Sequence, residues 1–473
     1  MTTIGQAIQT SSSIAAAIDA IVAEIEEKTT PITEVRGPRE ELTEAYAHLV
    51  TAAGESRGWP LLYPMLGSGA GRGALVELAD GSVKWDLVAG IGVHFFGHSH
   101  PQILRAQLRG ALEDTTKHGN LQSGTVPYEF ARKLVELAGR RSKLSRAFLT
   151  TSGAMANELA LKVCMQKRSP ATRVIAFEHC FMGRSLTMTS IGDSAAARDG
   201  IPVTVAVDYM PFWNAHAAEQ LGGKAAFIEA SLRQLETYVK RYPDGHACFV
   251  MELIQGEGGF NIPDRDWLVA LMEACKEHGI PVWDDEIQAF GRTTEMFAFE
   301  YFGVGELVDV FTVGKMTQAC AVLWTDAMKP RPGLLSGTFT GGTSDFTVGL
   351  EILQTLEAGR FYGPEGAFAQ HQQAFRRHAE ALMARHPSWF PAVPGTPERI
   401  GGVGGMMRLT PFGGQKDKVI AAAKAIYDEG AITFWCGHGP YHLRMLPPLP
   451  AMELDQWPAI FEVLERGLSR VAA

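Results

Sequence analysis

The sequence places side chains that can do chemistry directly after three apolar runs. In the first, Ser152, Gly153 and Ala154 follow a run that ends at Thr150. Small residues at the start of a helix leave its first backbone N–H groups accessible, and the helix dipole favours an anion at that end. A phosphate group fits such a position. An ordinary serine N-cap is the alternative explanation of the same residues.

Acidic side chains follow the second run. Asp284, Asp285 and Glu286 come directly after Val282 and Trp283, where a predicted strand ends. A carboxylate buried at the end of a strand needs a partner, because an unpaired buried charge costs several kcal/mol or shifts its pKa until it is neutral. A protonated ring nitrogen is one such partner. A metal ligand and the acidic start of a helix are the alternatives.

A lysine follows the third run. Lys315 comes two residues after the apolar segment 310–313, so we expect it in a partly dry cleft. Desolvation there lowers the pKa of the lysine and makes its amine a nucleophile toward an aldehyde. A single lysine after a strand is more often solvated, and only the combination of the three stretches favours a shared site.

The elements that must position these residues alternate along the middle of the chain, from about residue 101 to 355. Short β-rich runs are predicted as strands at 147–150, 173–177, 248–254, 280–283 and 308–313. Segments with helical spacing lie between several of them, as at 154–167 and 267–278. This order predicts an α/β fold with a mostly parallel sheet flanked by helices. Ligands bind such sheets at the carboxyl ends of the strands.

The flanking segments carry other patterns. Helices are predicted at 14–27, 38–53 (ending near Gly54), 415–429 and from about 453, with a hairpin at 74–93 and a strand at 431–435. The glycine-rich segment 67–73 fails both common phosphate-loop patterns, and we expect a flexible turn there. The segment 387–405 is rich in proline and glycine, which indicates a connector or tight turns.

The composition excludes several classes of function. The chain has 473 residues, 46% of them apolar, and its formal charge of -9 is interspersed rather than clustered. We therefore expect no nucleic-acid partner and no membrane partner. Six widely spaced cysteines indicate free thiols in a cytoplasmic protein. His94, His98 and His100 lack an acid or cysteine at supporting spacing, so no metal site is expected.

Seven motifs occur in a characteristic order. They are Ser152-Gly153-Ala154-x-Ala156-Asn157-Glu158, Phe181-x-Gly183-Arg184, Gly256-Glu257-Gly258-Gly259, Asp285-Glu286-Ile287-Gln288-x-Phe290-Gly291-Arg292-Thr293, Gly314-Lys315, Gly337-Thr338-Phe339 and Leu443-Arg444-x-x-Pro447-Pro448-Leu449. From about Val83 onward the chain thus resembles the class III aminotransferases, which include the ornithine, acetylornithine, lysine and 4-aminobutyrate transaminases. The resemblance implies the fold type I of pyridoxal 5′-phosphate-dependent transferases. It also implies an arm at 1–85, a large cofactor-binding domain at 86–355 and a small α+β domain at 356–473 with the N-terminal segment.

The resemblance implies a role for each motif residue toward pyridoxal 5′-phosphate. Lys315 forms the Schiff base and moves a proton, and Asp285 pairs with the pyridine nitrogen. The remaining cofactor-binding residues are Ser152, Gly153 and Ala154 at the phosphate, Phe181 and Ile287 on the ring faces, Gln288 near the phenolic oxygen, and Thr338 from a partner subunit. An active homodimer with sites at the subunit interface follows from the last of these.

The resemblance also implies a substrate clamp. Arg184 and Arg444 match arginines that bind substrate carboxylates, and Glu257 matches an acid that pairs with the second arginine and releases it for 2-oxoglutarate. A surface or dimer salt bridge is the alternative for each arginine. Met155, Met182 and the segment 340–343 depart from the family pattern, which leaves the amino donor open.

The expected reaction is a ping-pong transfer of an amino group from an amino acid or ω-amine to an oxo acid, with 2-oxoglutarate the favoured acceptor because of the two arginines. An epimerase, aminomutase or decarboxylase reaction on the same scaffold is the first alternative. A cofactor-binding protein without turnover is the second.

Overall fold

The computed structural model describes residues 2–396 and 398–472. Its helices are α1 Ile4–Gln9, α2 Ser12–Thr29, α3 Glu40–Arg57, α4 Ala89–Gly92, α5 Pro101–Ala111, α6 Val126–Ala138, α7 Gly153–Lys167, α8 Leu186–Ile191, α9 Ala195–Arg198, α10 Ala215–Gln220, α11 Lys224–Arg241, α12 Arg265–Glu277, α13 Ala298–Phe302, α14 Thr343–Ala358, α15 Ala367–Arg385, α16 Lys416–Glu429 and α17 Trp457–Ala472. In these ranges no helix is both long enough and apolar enough to cross a bilayer.

Its strands alternate with helices through the middle of the chain. They are β1 Gly67–Arg72, β2 Leu75–Leu78, β3 Val83–Asp86, β4 Lys117–His118, β5 Leu144–Thr150, β6 Arg173–Phe177, β7 Ala206–Met210, β8 His246–Met251, β9 Val282–Asp285, β10 Val310–Val313, β11 Cys320–Thr325, β12 Gly341–Gly342, β13 Ile400–Val403, β14 Met406–Leu409, β15 Ala431–Ile432, β16 Phe434–Cys436 and β17 His442–Met445.

The central sheet has the order β5-β11-β10-β9-β8-β6-β7 among the described residues. The pairs β10 with β9, β9 with β8, β8 with β6 and β6 with β7 are parallel, whereas β11 runs antiparallel to both of its neighbours. The predicted α/β class with a mostly parallel sheet is confirmed. Strands β5, β9 and β10, which lead into the predicted site residues, have their carboxyl ends at the same edge of the central sheet.

Successive side chains of the central strands enter two different cores. In β6, Val174 and Ala176 pack with helix α7, whereas Ile175 and Phe177 belong to a larger core that includes helix α12. This follows from the pleat, which points neighbouring side chains to opposite faces. Both faces of the sheet are covered, which explains why these strands are mostly apolar on both faces.

Two four-stranded sheets lie outside the central sheet in the described ranges, and one of them joins the two ends of the chain. In the order β1-β2-β3-β15, the C-terminal strand β15 pairs in parallel with β3, with Ala431 opposite Trp85. The second sheet is β13-β14-β17-β16, and all of its neighbours are antiparallel. The N- and C-terminal segments therefore share one sheet. The domain boundaries at residues 85 and 355 remain a prediction.

Several local predictions were wrong. Helix α3 continues through Gly54 and ends at Gly58, which adopts the left-handed conformation that favours glycine. The glycine-rich segment 67–73, expected as a flexible turn, contains strand β1, which pairs with β2. The presumed connector 387–405 contains strand β13. Strands β7 and β11 were not predicted, although β11 has six residues and pairs with the neighbouring strand β10.

Candidate active site

Two adjacent parallel strands bring Asp285 and Lys315 together. Asp285 is the last residue of β9 and lies opposite Thr312 of β10, and Lys315 follows the end of β10 by two residues. Lys315 has a φ of 51°, a conformation that is costly for a residue with a side chain and is found most often at functional sites. The two predicted chemical groups therefore meet at the carboxyl edge of the sheet.

Burial changes the ionisation of both groups. Burial and the nearby charge of Arg444 lower the pKa of Lys315 to about 8, with Arg292 acting in the same direction. Burial raises the pKa of Asp285 to about 6, against the opposing effect of hydrogen bonds and of the Lys315 charge. An amine with a lowered pKa is more often in its nucleophilic, uncharged form near neutral pH.

Helix α7 begins beside this pair. The Ser152 hydroxyl caps the helix by accepting a hydrogen bond from the Met155 N–H, so the serine N-cap is real. Gly153 packs against Ile287, and a Cβ at this glycine would lie 2.8 Å from the Ile287 methyl Cγ2. The backbone N–H groups of Gly153 and Ala154 make no hydrogen bond within the described part of the chain, which leaves them free for an anion at the helix end.

Asn157, one turn into α7, connects this helix to Asp285 by a hydrogen bond. Its side-chain amide donates to Asp285 Oδ2 at 2.7 Å and to the Met182 carbonyl at 2.8 Å. The other oxygen of Asp285 accepts from the Ile287 N–H at 2.9 Å. These bonds stabilise the ionised carboxylate and fix its orientation.

A second buried acid positions Phe181. Glu252 accepts hydrogen bonds from the backbone N–H of Phe181 at 3.0 Å and of Gly256 at 2.9 Å. Burial raises the pKa of Glu252 to about 8, and the charge of Asp285 contributes to the same shift. Glu252 thus joins the segment that carries Phe181 to the one that carries Glu257.

Arg444 and Glu257 form an ion pair close enough to Lys315 for both charges to act on its amine. Arg444 Nη2 lies 2.7 Å from Glu257 Oε1, although the approach is not that of a directed hydrogen bond. The Arg444 side chain is 1% exposed, whereas that of Glu257 retains 28% of its exposure. Arg444 Nη1 also lies 3.5 Å from Gln288 Oε1, and its guanidinium is 5.0 Å from the centre of the Phe434 ring.

Two predicted site residues stay apart from this group. Arg184 is exposed, and its guanidinium lies 5.4 Å from the centre of the Phe181 ring. Thr338 is exposed in the segment before α14, where its carbonyl packs closely on Gly119. Within a single chain, neither residue contacts the Lys315–Asp285 pair through any bond in the described ranges.

Sequence reasoning assigned no role to Asn157, Glu252 or Arg292. All three are buried, and Arg292 donates to the Gly92 carbonyl while burial lowers its pKa to about 9. Asn157 and Arg292 stand inside motifs that the sequence analysis noted. Glu252 gave a weaker signal, because it is an acid at the end of an apolar run.

The comparisons with known proteins decide the family. The model of the family "Aminotransferase class-III" matches residues 65–468. The chain belongs to this family. Pyridoxal 5′-phosphate is its cofactor, as the resemblance implied.

Relatives cover the chain to different extents. An acetylornithine aminotransferase of Methanocaldococcus jannaschii is 33% identical over 253 residues, which are 52% of this chain and 56% of that protein. The match therefore spans little more than half of that relative. A probable 4-aminobutyrate aminotransferase of Bacillus subtilis is 29% identical over 80% of this chain and 87% of its own length.

Solved structures share the fold. The lysine aminotransferase from M. tuberculosis has a TM-score of 0.75 and 21% identity, covering 89% of this chain and 99% of that one. The ornithine aminotransferase from Toxoplasma gondii ME49 has a TM-score of 0.69 and 21% identity, covering 87% and 91%.

The residues present fit the cofactor. The free N–H groups at the start of α7 suit a phosphate. Asp285 is a buried carboxylate that is oriented by two donors, and it suits a protonated ring nitrogen. Lys315 supplies an amine with a lowered pKa, and this amine lies close enough to Asp285 for its charge to act on the carboxylate.

Proposed function

We propose that this protein transfers an amino group from an amino acid or ω-amine to a 2-oxo acid in two half-reactions. The observation that carries the proposal is the buried Lys315–Asp285 pair beside the Arg444–Glu257 ion pair. The first pair suits amine chemistry on an aldehyde cofactor. The second suits a site that must accept two different substrates in turn.

Each residue of the first pair has one task. When bound, the cofactor supplies an aldehyde that condenses with amines and a ring that accepts electrons from the substrate carbon. Lys315 would hold that aldehyde through Nζ, and its amine, when free, would move a proton at the substrate carbon as a general acid–base. Asp285 holds the proton on the ring nitrogen. Gly153 and Ala154 bind the phosphate through their N–H groups, with Ser152 holding the helix start.

The second pair selects the substrates. While Glu257 pairs with Arg444, the site accepts an ω-amine donor that places no carboxylate at Arg444. When Glu257 moves away, Arg444 binds a carboxylate with its planar fork. We propose 2-oxoglutarate as the acceptor, since a dicarboxylate also engages Arg184. The names of the relatives support donors of the acetylornithine or 4-aminobutyrate type.

We also propose a homodimer in which Thr338 reaches the phosphate site of the partner subunit. The exposed apolar side chains of Leu121 and Phe339 near Thr338 support an interface there. Mixing inactive Lys315→Ala chains with impaired Thr338→Ala chains tests this proposal. Mixed dimers contain one site with both residues intact, so activity returns on mixing; no recovery in verified mixed dimers contradicts the shared site.

A cytoplasmic location is proposed as well. All six cysteines are free and buried, which is typical of proteins in a reducing compartment.

The reaction type is tested by a single-turnover experiment on the cofactor-loaded protein. A panel of amines is added without an oxo acid, and the absorbance of the cofactor is followed. An aminotransferase converts one equivalent of donor and stops until 2-oxoglutarate is added. Continued turnover without an oxo acid indicates an epimerase, aminomutase or decarboxylase. No turnover with any amine indicates a binding protein.

A further inference from the structure

Arg408 lies directly opposite Arg444 in the C-terminal sheet. The two residues are register partners on the antiparallel strands β14 and β17. Side chains that face each other in this way share one face of the sheet, and like charges in such a pair destabilise it. The guanidinium groups diverge: Arg444 stacks on Phe434, and Arg408 lies across Gly401, where a Cβ would collide with Nε. Each cation therefore needs its own anion.

Arg444 has Glu257, but Arg408 has no such partner. Arg408 is 8% exposed. Its Nη1 donates to the Gly259 carbonyl at 2.7 Å and approaches Asn261 Oδ1 and His442 Nε2 at 3.4 and 3.3 Å. Nε is buried with no hydrogen-bond partner. No carboxylate of residues 2–396 and 398–472 lies within 4.0 Å of this guanidinium, and an uncompensated buried charge is costly.

Arg408 lines a cavity of about 530 Å³, a volume typical of sites for small molecules. Trp213, Phe260 and Ile262 give the cavity an apolar wall. Arg376 of helix α15 adds a second cation, and it forms no ion pair within the described ranges. The carboxylate of Glu398, also on the lining, is exposed. The cavity thus combines an apolar wall with two arginines and one exposed carboxylate.

The cavity is separate from the candidate active site. None of its lining residues belongs to the cofactor or substrate groups described above. It nevertheless adjoins the segment that carries Glu257. Asn261 donates to Gln255 Oε1 at 2.9 Å and to the Gly258 carbonyl at 3.0 Å, and Arg408 binds the next carbonyl, that of Gly259.

We propose that this cavity is a second ligand site, which binds a small organic carboxylate through Arg408 and Arg376. The planar guanidinium fork matches a carboxylate, and Arg408, which lines the cavity, has no carboxylate partner of its own among the described residues. The apolar body of the ligand packs on Trp213 and Phe260. This site goes beyond the proposed amino transfer, and its existence does not depend on that reaction.

Calorimetric titration of the cofactor-loaded protein with benzoate tests the proposal. Wild-type protein is expected to bind benzoate at two places per chain, at Arg444 and in the cavity. Arg444→Met removes the first place only. Arg376→Gln and Arg408→Met each weaken the second by about tenfold or more, since hydrogen bonds to charged groups carry this much affinity. Arg377→Gln, an exposed neighbour on the same helix, is the matched control and changes neither.

Three outcomes overturn the proposal. The first is that only one benzoate binds per chain and that Arg444→Met abolishes its binding. The second is that Arg376→Gln binds the cavity benzoate as tightly as the wild-type protein does. This comparison can be made even if Arg408→Met does not fold. The third is displacement of the second benzoate by inorganic phosphate at equal concentration, which marks a general anion site rather than a carboxylate site. A failure of amino transfer leaves all of these titrations interpretable, because they measure binding alone.

Discussion

Arg444 and Glu257 are held 2.7 Å apart, with the arginine almost fully buried and the glutamate partly open to solvent. The exposed partner is therefore the one that can move at small cost. A carboxylate that enters the site competes with Glu257 for the same guanidinium. The strength of this ion pair sets how readily the protein accepts an anionic substrate.

Glu257→Gln is expected to lower the KM for 2-oxoglutarate about fivefold, because the neutral amide no longer competes with the substrate carboxylate for Arg444. A fivefold change corresponds to about 1 kcal/mol. Initial-rate kinetics at saturating donor check this. Glu306→Gln changes an exposed acid elsewhere and serves as the control. A KM that is unchanged or higher in the Glu257 variant contradicts the competition.

Arg444→Met is expected to raise the KM for 2-oxoglutarate by about 10- to 100-fold, because charged hydrogen bonds contribute roughly 1.5–3 kcal/mol. Cofactor affinity, measured by dialysis and absorbance, stays within about twofold of wild type. Arg184→Ala has a smaller effect, since that side chain is exposed. Unchanged kinetics in the Arg444 variant would remove this residue from the substrate site.

Lys315→Ala is expected to reduce amino transfer by roughly 10³-fold or more, within the range of general acid–base catalysis combined with nucleophile loss. The variant still binds the cofactor non-covalently, and borohydride treatment leaves none attached to the chain. Lys329→Ala, an exposed lysine, retains both activity and attachment. Appreciable turnover by the Lys315 variant counts against the whole assignment.

The attachment of cofactor to the stripped protein should depend on pH through Lys315. Only the uncharged amine attacks an aldehyde, so the rate rises with pH and levels off above about 8, where the pKa of Lys315 lies. Removing the Arg444 charge raises this pKa, and Arg444→Met therefore moves the midpoint to higher pH. Stopped-flow absorbance measures both curves. A midpoint near 10 in wild-type protein contradicts the lowered pKa.

Asn157→Ala is expected to raise the pKa of Asp285, because the amide hydrogen bond stabilises the ionised carboxylate. The acid limb of the kcat/KM profile then moves to higher pH by up to about one unit, and activity near pH 6 falls the most. Asn214→Ala removes the side chain of an exposed helix cap and leaves the profile in place. An unshifted acid limb in Asn157→Ala separates this residue from Asp285.

Local sequence was sufficient to predict the site residues that lie at the end of a strand or just after it. The predicted strands before Ser152 and Lys315 end where β5 and β10 end, at Thr150 and Val313. The predicted strand 280–283 stops two residues short of the end of β9, because that strand closes with the buried acids Asp284 and Asp285. Strand β11 escaped prediction although it pairs with β10, the strand just before it in sequence; its other partner, β5, lies far away along the chain.

The sequence by itself determined the chemistry at the edge of the sheet: the amine, the acid and the helix start each follow from a short stretch of chain. Only the tertiary structure decided how these groups are supported and what lies beside them. Asn157 meets Asp285 across 128 residues, and Arg408 meets Arg444 through strand register. The physical reason is that burial, hydrogen-bond partners and pKa depend on distances in space, and no local pattern of residue types specifies those distances.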